Sequence, residues 1–212
     1  MTVQAEASTP VPLRLVRGLR AGLDRAGRLM AYIAGWNYIL CALFIISDIL
    51  GRTLFGVSSV ATVEITGYML ACGISWSLAH TLAARAHIRV DVLVSRLPLR
   101  PRATLHVLAL LLLGSFAAFL AWAGWSLLDE SLLFDAHDNS ALHIPLALPQ
   151  GIWTFGLLAF LLMITALLLE AVLTLLCGRF KEADALLGSR SIDDDASEAL
   201  EAVAMARKGQ AA

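Results

Sequence analysis

Apolar residues along this chain come in four long blocks, and the short segments between them hold nearly all the charge. The blocks run from about Leu29 to Leu50, Val63 to Ala84, Thr104 to Leu128 and Gly151 to Cys177. Each matches the run of about 20 mostly apolar residues that a helix needs to cross a bilayer's hydrocarbon. None shows the two-residue alternation of a barrel strand. In lipid a backbone must satisfy its own hydrogen bonds, so the pattern predicts four membrane-spanning helices. Ahead of the first block, residues 13–29 place Arg14, Arg17, Arg20, Arg25 and Arg28 on one arc of a helical wheel. Leu15, Val16, Leu19, Leu23, Ala26 and Leu29 fall on the opposite arc. This pattern predicts a basic amphipathic helix lying in the interface against anionic lipid, the alternative being a cytoplasmic extension of the first span. The first apolar block is too long for a signal peptide, and no small-residue cleavage site follows it.

Composition sharpens this picture. Of 212 residues, 58% are hydrophobic and only 16% are charged, against about 25% charged in a soluble domain. The net charge of −1 supplies no global field for nucleic acid. The distribution of the basic residues is more informative. Five Lys or Arg precede the first span, one lies in the first loop, five in the second, none in the third and five in the tail. The positive-inside rule then places the N-terminus, the second loop and the C-terminus in the cytoplasm. The expected architecture is an all-α integral membrane protein with both ends inside. Residues 1–28 form a cytoplasmic N-terminus with its interfacial helix, 29–177 a four-helix transmembrane domain, and 178–212 an acidic cytoplasmic tail, either a solvated helix or disordered. Cys41, Cys72 and Cys177 have no CxxC spacing and read as apolar packing residues.

Ionisable groups inside spans are expensive, so each needs a partner or a purpose. Asp48 and Arg52 are four apart with the acid first, the favourable order for a helical ion pair. They read as a structural pair fixing the depth of the first helix, with contact to a transported ion as the alternative. Glu64 opens the second span, where the helix macrodipole favours an acid. Glu64, Tyr68, Ala71, Ser75 and Ala79 recur at helical spacing, and small residues of this kind let helices approach closely in lipid. That stripe packs either against another subunit or within the four-helix unit. Glu170, two turns from the inner end of the fourth span, reads as reaching the interface or pairing with a basic residue there, because no chain of acids accompanies it for a proton relay. His80 and His106 lie near the inner ends of their helices. Two histidines on facing helices can ligate a haem, which gives an alternative reading as a haem-binding membrane anchor of an electron-transfer complex. No metal or nucleotide motif calls for any other cofactor, and no internal repeat or broken helix marks a stand-alone transporter.

Several of these residues, taken in order, resemble the small membrane subunit of tripartite ATP-independent periplasmic (TRAP) transporters, the DctQ family. The resemblance rests on Asp48-x-x-x-Arg52 followed by Phe55, on Glu64, Tyr68 and Ser75, and on His87-Ile88-x-Val90-Asp91 in the second loop. Trp122 and Trp125 in the third span and Leu142-x-Ile144-Pro145 before the fourth complete it. It covers about residues 29–177 and leaves out the N-terminal helix and the tail. The resemblance implies a non-catalytic subunit of the bacterial inner membrane. Its implied partners are a large multi-span permease subunit carrying substrate and sodium, and a periplasmic binding protein delivering an organic acid. It also implies that His87 and Asp91 are structural positions on the cytoplasmic side.

Overall fold

The computed structural model describes residues 11–57, 59, 61–85, 94, 97–139, 142–188, 200, 203 and 205. Five helices order these residues: α1 (Val11–Phe55), α2 (Thr62–Ala83), α3 (Leu99–Leu133), α4 (Ala147–Leu176) and α5 (Phe180–Leu187). The long four fall on the four apolar blocks.

α1 runs well beyond the first apolar block. Its 45 residues span about 67 Å at 1.5 Å per residue, roughly twice the hydrocarbon thickness. Among the described residues the amphipathic stretch and the first apolar block form one continuous helix, the arrangement expected of an extension of the first span. Pro12 sits in the first turn, where a missing N–H is harmless. Nothing stops the helix before Gly56, which takes a left-handed φ of 64° and ends it. Gly178, at φ 73°, ends α4 in the same way, with the Gly178 and Arg179 amides bonded back to Leu175 and Thr174.

α4 is the hub. It packs on α1, α2, α3 and α5, and 50% of its most apolar stretch is buried, against 17% in α1 and 22% in α3. The core joins Ala79 and Leu82 of α2, Leu110 and Ala117 of α3, and Phe160, Met163, Ile164, Leu167 and Ala171 of α4. α1 and α3 flank this hub and leave large apolar side chains uncovered along their outer faces.

Among the described residues, α1, α3 and α4 are long and apolar enough to cross a membrane. α2, at 22 residues, is long enough, but its most apolar stretch is less apolar than theirs. The reason is visible in its packing. One face, at Gly73, lies against Asn37 and Tyr38 of α1, and another, at Ser75, lies against Gly156 of α4. A helix clamped on two sides needs small and hydroxyl residues at both contacts, and these lower its hydropathy.

Candidate functional site

The densest polar site lies at the arginine-rich end of the bundle. Arg17 and Arg20, three apart on α1, project to the same side. Opposite them Glu170 of α4 is only 3% exposed. Arg17 Nε donates to Glu170 Oε1 at 3.1 Å, and Arg20 Nε stands 2.7 Å from Glu170 Oε2. Both carboxylate oxygens therefore face a guanidinium, the pairing that a charge needs to be tolerated at this burial.

α5 extends the cluster. Its glutamate, Glu182, accepts from Arg17 Nη2 at 3.1 Å and also pairs with Arg179. Asp184 takes both Nε and Nη2 of Arg102, from the first turn of α3, in a two-pronged pair. The His106 ring nitrogen Nε2 lies 3.7 Å from the same aspartate. Arg85, just past α2, donates to the Ala185 carbonyl at 2.8 Å, and the Arg100 guanidinium lies 5.7 Å over the Phe180 ring. Ala183 and Leu187 bury the apolar side of α5. This one short helix thus touches residues from every long helix or its end. Within the tail, Phe180–Leu187 is a helical strap.

The two histidines have different carboxylate neighbours. His80 Nδ1 lies 3.8 Å from Asp24 of α1, while His106 turns to Asp184 of α5. Each ring addresses a different carboxylate on a different element, and nothing among the described residues supports the haem alternative.

The other end is held by shorter-range bonds. Asp48 and Arg52 do approach, at 3.7 Å, with the arginine side chain 62% exposed. The closer bond to Asp48 comes from the loop: the Ser59 amide donates to Oδ1 at 2.7 Å. The aspartate therefore closes the α1–α2 connection, and the ion pair is secondary. Glu64 occupies the first turn of α2, as expected. Tyr68 donates from its hydroxyl to Asp138 at 2.6 Å, joining α2 to the α3–α4 connection. Ile144 and Pro145 close that connection as a small hairpin, with the Asp138 amide bonded to the Ile144 carbonyl and His137 bridged to Pro145. Ser75 is buried against Gly156, where a Cβ would meet Ser75 Oγ at 2.6 Å. At Ser75 and Ala79 the predicted stripe is thus packing within the unit, while Ala71 stays exposed. His87 and Asp91 lie outside the described residues.

Between the two ends, α1, α2 and α4 border an apolar lateral groove of about 390 Å³, open to one side and lined by residues including Ile33, Met69, Trp76 and Ile152. Two of its polar groups are already engaged. Asn37 donates to the Met69 carbonyl at 2.6 Å, and Trp76 to the Ile152 carbonyl at 2.8 Å.

The sequence offered a basic partner for Glu170 as one of two readings and did not indicate which residue. The signal was the pairing of two same-face arginines with a lone acid about 150 positions away. Asp138 and Asp184 had no local signal at all. A family model described as "Tripartite ATP-independent periplasmic transporters, DctQ component" matches residues 41–177, more than half of the chain. No match was found among curated proteins or among solved structures.

Proposed function

The chain belongs to the DctQ family of tripartite ATP-independent periplasmic transporter components, and on that premise we propose that it is the scaffold subunit of a sodium-coupled importer of an organic acid. The family is one of transporter components, not of enzymes. In this reading α2 crosses the inner membrane together with α1, α3 and α4, and both termini face the cytoplasm. The arginine-rich end, with its cluster around Glu170, is then the cytoplasmic end. The chain grips a large multi-span permease subunit, which moves substrate and sodium, and helps seat a periplasmic binding protein on the opposite face.

Glu170 is the observation that favours a supporting role over a conducting one. This buried carboxylate of α4 takes a hydrogen bond from Arg17 on one oxygen and an ion-pair contact with Arg20 on the other. A group held this way fixes helices in place, whereas an ion-coupling carboxylate must be free to exchange partners. The close contacts at Gly156 and Gly73 likewise suit a rigid body. The exposed apolar flanks of α1 and α3 offer surface for lipid and for a larger partner.

Deletion tests the assignment. Cells lacking this chain are expected to lose uptake while the permease subunit is still made, and mild detergent extraction of intact cells should co-purify the two. Saturable solute uptake by vesicles holding this chain alone would overturn the scaffold reading.

A further inference from the structure

The two helical hairpins, α1–α2 and α3–α4, carry their apolar bands at different heights. Gly27 of α1 lies against His80 of α2, with a Cβ placed there 3.5 Å from the His80 nitrogen. Ser75 lies against Gly156, so His80, five residues on, is level with Phe160 and Leu161 of α4. Arg25 and Arg28 therefore stand beside the middle of α4, about 20 Å short of its end at Leu176 by helical rise. The contacts of Arg17 and Arg20 with Glu170 give the same register. Toward that end, α3 and α4 expose Leu105, Leu108, Leu112 and Leu169, side chains that suit an apolar surrounding. The height at which hydrocarbon gives way to polar surroundings is thus different on the α1 side and the α3 side.

The uncovered face of α1 indicates what meets it there. Leu29, at the edge of the apolar arc and 62% exposed, lies one helical turn from Arg25. Arg25 has no acidic partner among the described residues, and Arg28 has only Asp24, at 3.5 Å. One and two turns outward on the same face, Tyr32 and Trp36 are exposed. Tyrosine and tryptophan just past a basic run mark the headgroup level of a bilayer.

We propose that this face of α1 binds anionic phospholipid, with phosphates on Arg25 and Arg28 and acyl chain on Leu29 and the aromatic pair. Headgroups of the inner leaflet are drawn up along α1 and stay lower along α3. A positive strip flanked by apolar and aromatic side chains selects anionic over zwitterionic lipid.

The test reconstitutes the full chain into vesicles of phosphatidylglycerol and phosphatidylcholine in equal amounts, extracts it gently, and counts retained lipids by native mass spectrometry. Phosphatidylglycerol is expected to be enriched about fivefold or more. Arg25→Gln with Arg28→Gln should abolish most of that enrichment, while Arg52→Gln, at the opposite end, should preserve it. Equal retention of both lipids by the native chain, or undiminished enrichment in the double variant, overturns the proposal. So does a double variant that keeps its lipid preference but loses co-purification with the permease subunit, because the strip would then be a protein contact. The proposal rests on the bilayer placement given above. Failure of the native chain to enter vesicles would defeat that placement, whereas insertion without lipid preference defeats this proposal alone.

Discussion

The two ends of the bundle are fastened by different means. At the arginine-rich end, charges from segments far apart in the chain converge: Arg17 and Arg20 on Glu170, and Arg102 on Asp184. α3 has its main contacts with α4 and α5, so α5 is what ties it toward the N-terminal third of α1. At the other end the bonds are mostly local, such as Asp48 to the Ser59 amide and the rungs of the small hairpin at Ile144. Tyr68 to Asp138, Cys72 to the Pro149 carbonyl and, further in, Trp76 to the Ile152 carbonyl are the long-range exceptions. The difference teaches that the relative position of the two hairpins is set at the arginine-rich end, while the opposite end mainly finishes its own loops.

Glu170→Ala should break this asymmetry most strongly. It leaves two guanidiniums facing a buried hole, and removing one partner of a buried ion pair destabilises by about 3–5 kcal/mol. Arg17 and Arg20 are each about one-third exposed, which lowers the expectation to about 2–3 kcal/mol. Unfolding of the purified chain in mixed dodecyl sulfate micelles reads the loss. An unchanged midpoint would show that the cluster does not hold the bundle.

Gly156→Ala is the control from the middle of the bundle, where no charge is involved. Its new Cβ would fall 2.8 Å from the Ser75 carbonyl carbon, so backbone must move, at about 1–3 kcal/mol for overpacking. This loss should be indifferent to ionic strength, whereas the penalty from the Glu170 variant should shrink in high salt as the half-open arginines are screened. Equal salt dependence of the two variants would erase the distinction between charge fastening and close packing. Asp184→Ala follows, releasing Arg102 and His106 from α5 at about 1–2 kcal/mol. Proteolysis within residues 178–188 should accelerate in that variant and not in Gly156→Ala.

The parts of this arrangement that were legible in the sequence are those that depend on local pattern. Four apolar blocks gave four long helices because hydropathy alone decides where a backbone can be hydrated. The ends were less legible. α1 ran back to Val11 because its amphipathic arc lies in phase with the span, and phase continuity carries no mark that separates one helix from two. Glu170 showed as an anomaly in its block, but its partners were 150 residues away and only packing could bring them together. Asp184 had no such visibility, since an acid in an acidic tail is unremarkable until α5 folds its Ala183 and Leu187 inward. Ser75 was legible as a packing residue and silent about its partner, because a small side chain fits a helix of the same chain or of another equally well.

Tyr68→Phe is the smallest change and the sharpest probe of the comparison. It removes one hydroxyl and leaves Asp138, a residue of the hairpin surface, free to find water, so the expected loss is about 0.5–1 kcal/mol. If the arginine-rich end alone positions the hairpins, the variant should loosen the hairpin around Asp138 without disturbing the bundle. Hydrogen exchange would then quicken for the Asp138 and Leu146 amides, which bond to the Ile144 and Ala136 carbonyls, and stay unchanged for amides of α4. Should exchange quicken throughout α4 instead, the Tyr68 bond would be holding the hairpins together from the far side, and the two ends would have to be regarded as equal fasteners.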